Sequence, residues 1–277
     1  MGIRRRRGSG ASATRERHGS AVIDVRHLIA SAVTAPLLPL LVLQGRRVRR
    51  VTPRLPEAPG PSHGRSGSGT PSLSLLVVGE STVAGVGAAS HESALTGQLA
   101  LVLAERVGRE VHWRAVGANG ATAACTREVL LPRIPAGPVD LVVIALGVND
   151  VLRLHSPGRW RRDLERLVIS IRERVGMSPV VVAAMPPLGR FPAFPEPLRS
   201  VLGARATALA RATRHIERSL ENVTVCTGTM DEDMSHYATD RFHPSELGYQ
   251  AWARLMATDL AKAADSASSG TGEGPRI

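Results

Sequence analysis

The chain has 277 residues, enough for one or two domains, and its apolar fraction of 43% can supply a sizeable core. The formal charge of +11 is unevenly placed: residues 1–54 hold 12 arginines against Glu16 and Asp24, which leaves 23 basic and 22 acidic residues for the rest. That near-neutral remainder argues against a folded nucleic-acid-binding domain, which needs a basic stripe, and two cysteines without C-x-x-C spacing exclude a disulfide framework.

From the N-terminus, Met1 to Ser20 is rich in Arg, Gly and Ser and too poor in apolar residues to fold, so a disordered tail is expected. Leu28 to Leu43 then runs without charge between Arg26 and the cluster Arg46, Arg47, Arg49 and Arg50. It is shorter than the roughly 20 residues of a spanning helix, and Pro36 and Pro39 weaken a continuous helix. Three readings compete: a signal peptide, for which Gln44-Gly45-Arg46-Arg47 is a poor cleavage site; a membrane-contact segment with arginines at the headgroups; and an apolar extension packed on the domain. Membrane contact is preferred, giving a membrane-associated or exported protein. Arginines on both sides leave the orientation open, and the cytoplasmic side with it. Pro53 to Ser72, dense in Pro, Gly and Ser, reads as a linker. The expected organisation is therefore 1–54 as tail and contact segment, 55–72 as linker, 73–264 as one folded domain and 265–277 as a disordered tail.

Leu73 to Val78 is a short apolar run ending at Gly79, the pattern of a buried parallel strand. Ala94 to Val107 places Leu95, Leu99, Val102 and Leu103 on one helical face. The alternation continues with strand Val111 to Val116, helix Thr122 to Leu131 and strand Leu141 to Leu146. A helix follows with Leu164, Leu167, Val168, Ile171 and Val175 on one face. Strand Pro179 to Ala184, helix Leu198 to Leu220, strand Val223 to Cys226 and helix Ser245 to Ala263 complete it. Strands alternating with helices predict an α/β fold, a doubly wound three-layer sandwich around a parallel sheet of about five strands. Ligand sites in such sheets lie beyond the carboxyl ends of the strands.

Four blocks fall in that pattern: Gly79-Glu80-Ser81-Thr82 after the first strand, Gly117 to Thr122 after the second, Gly147-Val148-Asn149-Asp150 after the third, and Asp240-Arg241-Phe242-His243 before the last helix. Ester cleavage by a serine needs a nucleophilic hydroxyl, a base, a carboxylate to orient the base, and donors for the oxyanion. Ser81, His243, Asp240, and the pair Gly120 and Asn149 can fill those roles. Each has a bland alternative: Ser81 as a helix N-cap, His243 as a surface residue, Asn149 as a turn cap. None of the alternatives explains four blocks together.

The set resembles the SGNH hydrolase family, also called GDSL-type esterases and lipases, over roughly Leu73 to Ala264. The resemblance implies a flavodoxin-like fold, Ser81 as nucleophile, His243 as base, Asp240 as its orienter, and an oxyanion hole made by the N–H groups of Ser81 and Gly120 with the Asn149 amide. Aligned on the family's pattern, Gly120 takes the donor position and Gly117 the earlier turn. Glu80 departs from the family, where aspartate is usual. Asp150, the rival carboxylate, is given a structural role at its turn. The α/β-hydrolase elbow Gly-x-Ser-x-Gly is not matched, because Val83 holds the final position.

The expected function is hydrolysis of carboxylic esters of lipid, cell-envelope or acylated-glycan type through an acyl-Ser81 intermediate, with acyl transfer or a non-catalytic binding module as alternatives. No cofactor is called for, and none of the nine histidines lies in a metal-ligand motif such as H-E-x-x-H. The partners expected are a small-molecule or lipid ester and a membrane contacted through Leu28 to Leu43, with no nucleic acid on the folded domain. Phe191, Phe194 and Phe242 can either wall an acyl pocket or pack a loop.

Overall fold

The computed structural model describes residues 37–229 and 233–270. The tail at Met1 to Ser20, most of the apolar run from Leu28, and residues 271–277 lie outside them. The chain divides into two units, 1–42 and 43–277. In the first, the described residues begin a helix, α1 (Leu38–Val51), that continues into the second. Pro39 does not break this helix because it sits in the first turn, where its missing N–H has no intrahelical acceptor to lose.

The second unit is a sheet of six strands: β1 (His63–Ser66), β2 (Leu73–Gly79), β3 (Val111–Gly117), β4 (Leu141–Ala145), β5 (Val180–Val182) and β6 (Val223–Val225), in spatial order β1-β3-β2-β4-β5-β6. The last five are parallel to one another, and β1 pairs antiparallel with β3 at the edge. The helices are α2 (Leu95–Val107), α3 (Ala123–Cys125), α4 (Val148–Leu152), α5 (Pro157–Val175), α6 (Leu198–Ser219) and α7 (Glu246–Gly270). This is the expected doubly wound three-layer arrangement.

Side chains alternate across a strand with a period of two, and the two cores follow from that rule. Leu76, Val78, Val142 and Ile144 face a layer containing Trp160, Leu164, Leu167 and Ile171 of α5 and Leu209 and Ile216 of α6. Leu75, Val77 and Val143 face Leu95, Leu99 and Leu103 of α2 and Tyr249, Met256 and Leu260 of α7. Trp160, buried on the first side, donates its indole N–H to Thr213 Oγ1 at 2.9 Å, so its one polar atom is satisfied.

Three expectations are corrected. The segment 55–72 is no free linker: Ala58 is buried and donates its N–H to Ala84 O at 3.0 Å, and β1 adds a strand to the sheet. The segment expected as helix Thr122 to Leu131 opens as α3, widens into a π-turn at Thr126–Leu130 and ends in a 3₁₀ turn at Leu131–Arg133. Pro132 has no N–H to continue an α-helical ladder there. The last helix runs past Ala263 to Gly270, into the expected tail.

Candidate active site

The parallel strands end together, and the first three blocks follow from their carboxyl ends. At the end of β2 the backbone must pass close to β4: a Cβ on Gly79 would run into the Ala145 carbonyl oxygen, so only glycine fits. Glu80 N–H then donates to Ala145 O at 3.2 Å, and the Glu80 carbonyl accepts from Val83 and Ala84 at 3.0 Å, which turns the chain sharply and places Ser81 at its bend.

Asp240 and His243 lie on the loop before α7. Asp240 Oδ1 accepts the N–H groups of Phe242 and His243, each at 3.0 Å, and Arg241 takes a left-handed φ of 56° to let the loop wrap around the carboxylate. Asp240 Oδ2 lies 2.5 Å from His243 Nδ1, and His243 Nε2 lies 3.0 Å from Ser81 Oγ. Asp240 is 4% exposed. Burial pushes its carboxyl up, but the bonds from His243 Nδ1 and the two backbone N–H groups outweigh burial and hold it below the usual aspartate value. An ionised Asp240 accepts from Nδ1–H, which leaves the Nε2 lone pair facing the serine hydroxyl.

Asn149 lies in the first turn of α4, and its Nδ2 donates to Glu80 Oε2. Gly120 has φ 80° and open space where a side chain would be, with its carbonyl accepting from Arg153 Nη2 at 3.1 Å. Among the described residues, neither the Ser81 N–H nor the Gly120 N–H donates to a protein acceptor. Asp150, wholly buried, takes no part in the His243 chain: it accepts from Ala123 N–H at 3.2 Å and pairs with His155 Nδ1 at 2.7 Å, joining α3 to α4.

A pocket opens beside Ser81 and His243, lined by Leu146 and Val148 after β4, Ala183 after β5, and Phe191, Tyr237 and Phe242. Phe242 stands edge-on to the His243 ring at a centroid distance of 4.9 Å and to Phe191 at 5.6 Å. Phe191 and Phe242 therefore line the pocket, whereas Phe194 packs behind them on Phe242 at 5.8 Å. Sequence reasoning missed Glu57, which lies in the segment read as linker and whose Oε1 accepts the Asn119 N–H at 2.7 Å. No residue pattern signals such a contact across 62 positions of chain. No group of three or more metal-ligating side chains occurs among the described residues.

Residues 77–251 match the model of the GDSL-like Lipase/Acylhydrolase family. Among characterised proteins, the GDSL-like esterase Rv1075c of Mycobacterium tuberculosis is 31% identical over 237 residues, covering 78% of this chain and 74% of that one. Among solved structures, the lipase Lip_vut3 from a goat rumen metagenome superposes with a TM-score of 0.55 at 17% identity, over 67% of this chain and 96% of that one. Est24, a carbohydrate acetylesterase from Sinorhizobium meliloti, does so with a TM-score of 0.50 at 20% identity, over 69% and 99%. At such identities the structures speak for the fold alone, while the family match spans most of the chain. The chain thus belongs to the GDSL-like lipase/acylhydrolase family, as a carboxylic ester hydrolase.

Proposed function

We propose that this protein cleaves esters through an acyl-Ser81 intermediate. The observation that carries the reading is the continuous chain Asp240–His243–Ser81, at 2.5 and 3.0 Å. His243 Nε2 takes the proton as Ser81 Oγ bonds to the ester carbonyl carbon, and the imidazolium that forms is stabilised by Asp240. The proton then passes to the departing alcohol oxygen as the C–O bond breaks. Water, deprotonated by the same Nε2, attacks the acyl carbon and releases the acid and Ser81. The oxyanion of each step is received by the N–H groups of Ser81 and Gly120 and by Asn149 Nδ2. The two backbone donors are uncommitted in the resting fold, which supports this assignment.

The pocket favours an apolar acyl group, since Leu146, Val148, Phe191 and Phe242 present carbon to it. A lipid or cell-envelope ester suits that lining better than a free acetylated sugar. Membrane contact is part of the same reading. Leu38, Leu40, Val42 and Leu43 are exposed on α1 ahead of exposed Arg46, Arg47, Arg49 and Arg50, a composition suited to an interface. No helix among the described residues is long and apolar enough to cross a membrane.

Purified protein assayed on p-nitrophenyl esters of increasing chain length, beside acetylated sugars, tests both claims. Activity that rises from acetyl to longer chains and vanishes in Ser81→Ala is expected. Equal activity in Ser81→Ala would remove the mechanism, and a strict preference for acetylated sugars would remove the lipid reading.

A further inference from the structure

Glu80 is a buried carboxylate that the mechanism above does not use. It is 4% exposed and stands between the end of β2 and Ser81. Its Oε1 accepts the Val148 N–H at 3.0 Å, and its Oε2 accepts the Asn149 N–H at 3.0 Å together with Asn149 Nδ2. All three donors come from the first turn of α4. One side chain thus gathers the start of that helix against the residue that precedes the serine.

The third bond differs in kind from the other two. The backbone donors would be content with a water or any other acceptor. The Asn149 side chain, by contrast, has two ends, an acceptor Oδ1 and a donor Nδ2, and a small rotation exchanges them. A carboxylate offers only lone pairs, so it selects the Nδ2 end. One of the two Nδ2 hydrogens is used on Glu80, and the other remains for a substrate. With the amide reversed, Oδ1 would instead face a developing negative charge and repel it.

We propose that Glu80 is a positioning residue that fixes the Asn149 amide with its nitrogen toward the reacting carbonyl oxygen. The inference rests on the reading of Asn149 as an oxyanion donor and adds what holds it in register. Burial is the largest influence on Glu80 and pushes its carboxyl up to about 7; the donors from Asn149 and Val148 oppose this, and Asp150 nearby adds to the rise. Above that value Glu80 carries no proton and can only accept, so its selection of the Nδ2 end is complete in the ionised form and weakens as pH falls through about 7.

A double-mutant cycle separates this proposal from the reading beneath it. The variants are Glu80→Gln, Asn149→Ala and both together, with kcat, KM and melting temperature measured on each. Gln keeps the size of Glu80 but offers one acceptor oxygen to three donors, so its NH2 must oppose either the Val148 N–H or Asn149 Nδ2 and the amide is held less firmly; kcat should fall by about 10- to 100-fold, short of the roughly 10²–10³ for loss of an oxyanion donor, with KM little changed. If Glu80 acts through Asn149, the double variant should turn over no more slowly than Asn149→Ala alone. Additive losses in the double variant would overturn the proposal while leaving Asn149 in place. Normal turnover in Asn149→Ala would instead overturn the underlying reading. If Glu80→Gln fails to accumulate folded, Glu80→Asp enters the same cycle, because it keeps the charge and draws the oxygens back from Nδ2. The same non-additivity is then required.

Discussion

His243 Nε2 lies 3.0 Å from Ser81 Oγ although 162 residues separate them in the chain. Only the fold brings them together: Ser81 hangs from the end of a central strand, and His243 from a loop that the last helix anchors at the same sheet edge. Removing either should stop catalysis without dismantling either core. Ser81→Ala and His243→Ala are each expected to lower kcat on the order of 10³ or more, with a circular-dichroism melt close to that of the wild type. Turnover near wild type in either variant contradicts the assignment.

Two aspartates each hold a histidine, and they should fail differently. Asp240→Asn leaves the loop bonded but presents an amide to Nδ1, favouring the wrong imidazole tautomer, so kcat should fall steeply while the melt stays near wild type. Asp150→Asn breaks a buried junction between α3 and α4 at a cost of about 1–3 kcal/mol, visible as a lower melting temperature with near-normal turnover of the folded fraction. The opposite pattern would exchange their roles.

Glu80 also makes stability depend on pH in a direction unusual for a carboxylate. Folded Glu80 keeps its proton up to about pH 7, whereas its ordinary value is 4.5. Between those values the folded state binds more protons than the unfolded state, so the contribution of this residue falls as pH rises through the interval and is level above it. The shift corresponds to a loss on the order of 3 kcal/mol. Melting temperatures from pH 4.5 to 8 should fall in the wild type relative to Glu80→Gln. Parallel curves would show that Glu80 ionises normally.

Much of the sheet was legible because its parallel strands are buried on both faces and read as apolar runs, as at Leu73 to Val78 and Leu141 to Ala145. The turn residues after them, Gly79-Glu80-Ser81 and Gly147-Val148-Asn149, could be placed at one edge by chain order alone. The strand β1 was not legible, since His63-Gly64-Arg65-Ser66 is polar and forms only because the edge of β3 accepts it. Gly64 lies flat on the Trp113 ring, where a Cβ would come within 2.5 Å. The bond that the Asn149 amide donates to Glu80 depends on a tertiary distance that no local pattern encodes. Asp240 and His243 were easier, because they belong to one short loop.

The packed segment before β2 makes the effect of truncation depend on where the cut falls. Deleting residues 1–54 removes α1 but leaves Glu57, Ala58 and β1, so an active enzyme is expected. Extending the deletion to residue 72 uncovers the edge of β3 and one face of Trp113, and should lower the melting temperature and promote aggregation. Equal stability of the two truncations would show that β1 contributes nothing to the domain.

The most direct test of the central claim is intact-mass and peptide mapping of the protein after reaction with a fluorophosphonate ester, which forms a stable adduct only with an activated nucleophile. One adduct per chain, located on the peptide carrying Ser81 and absent from Ser81→Ala and His243→Ala, is the expected result. An adduct on another residue, or full esterase activity in protein already modified at Ser81, would contradict the mechanism.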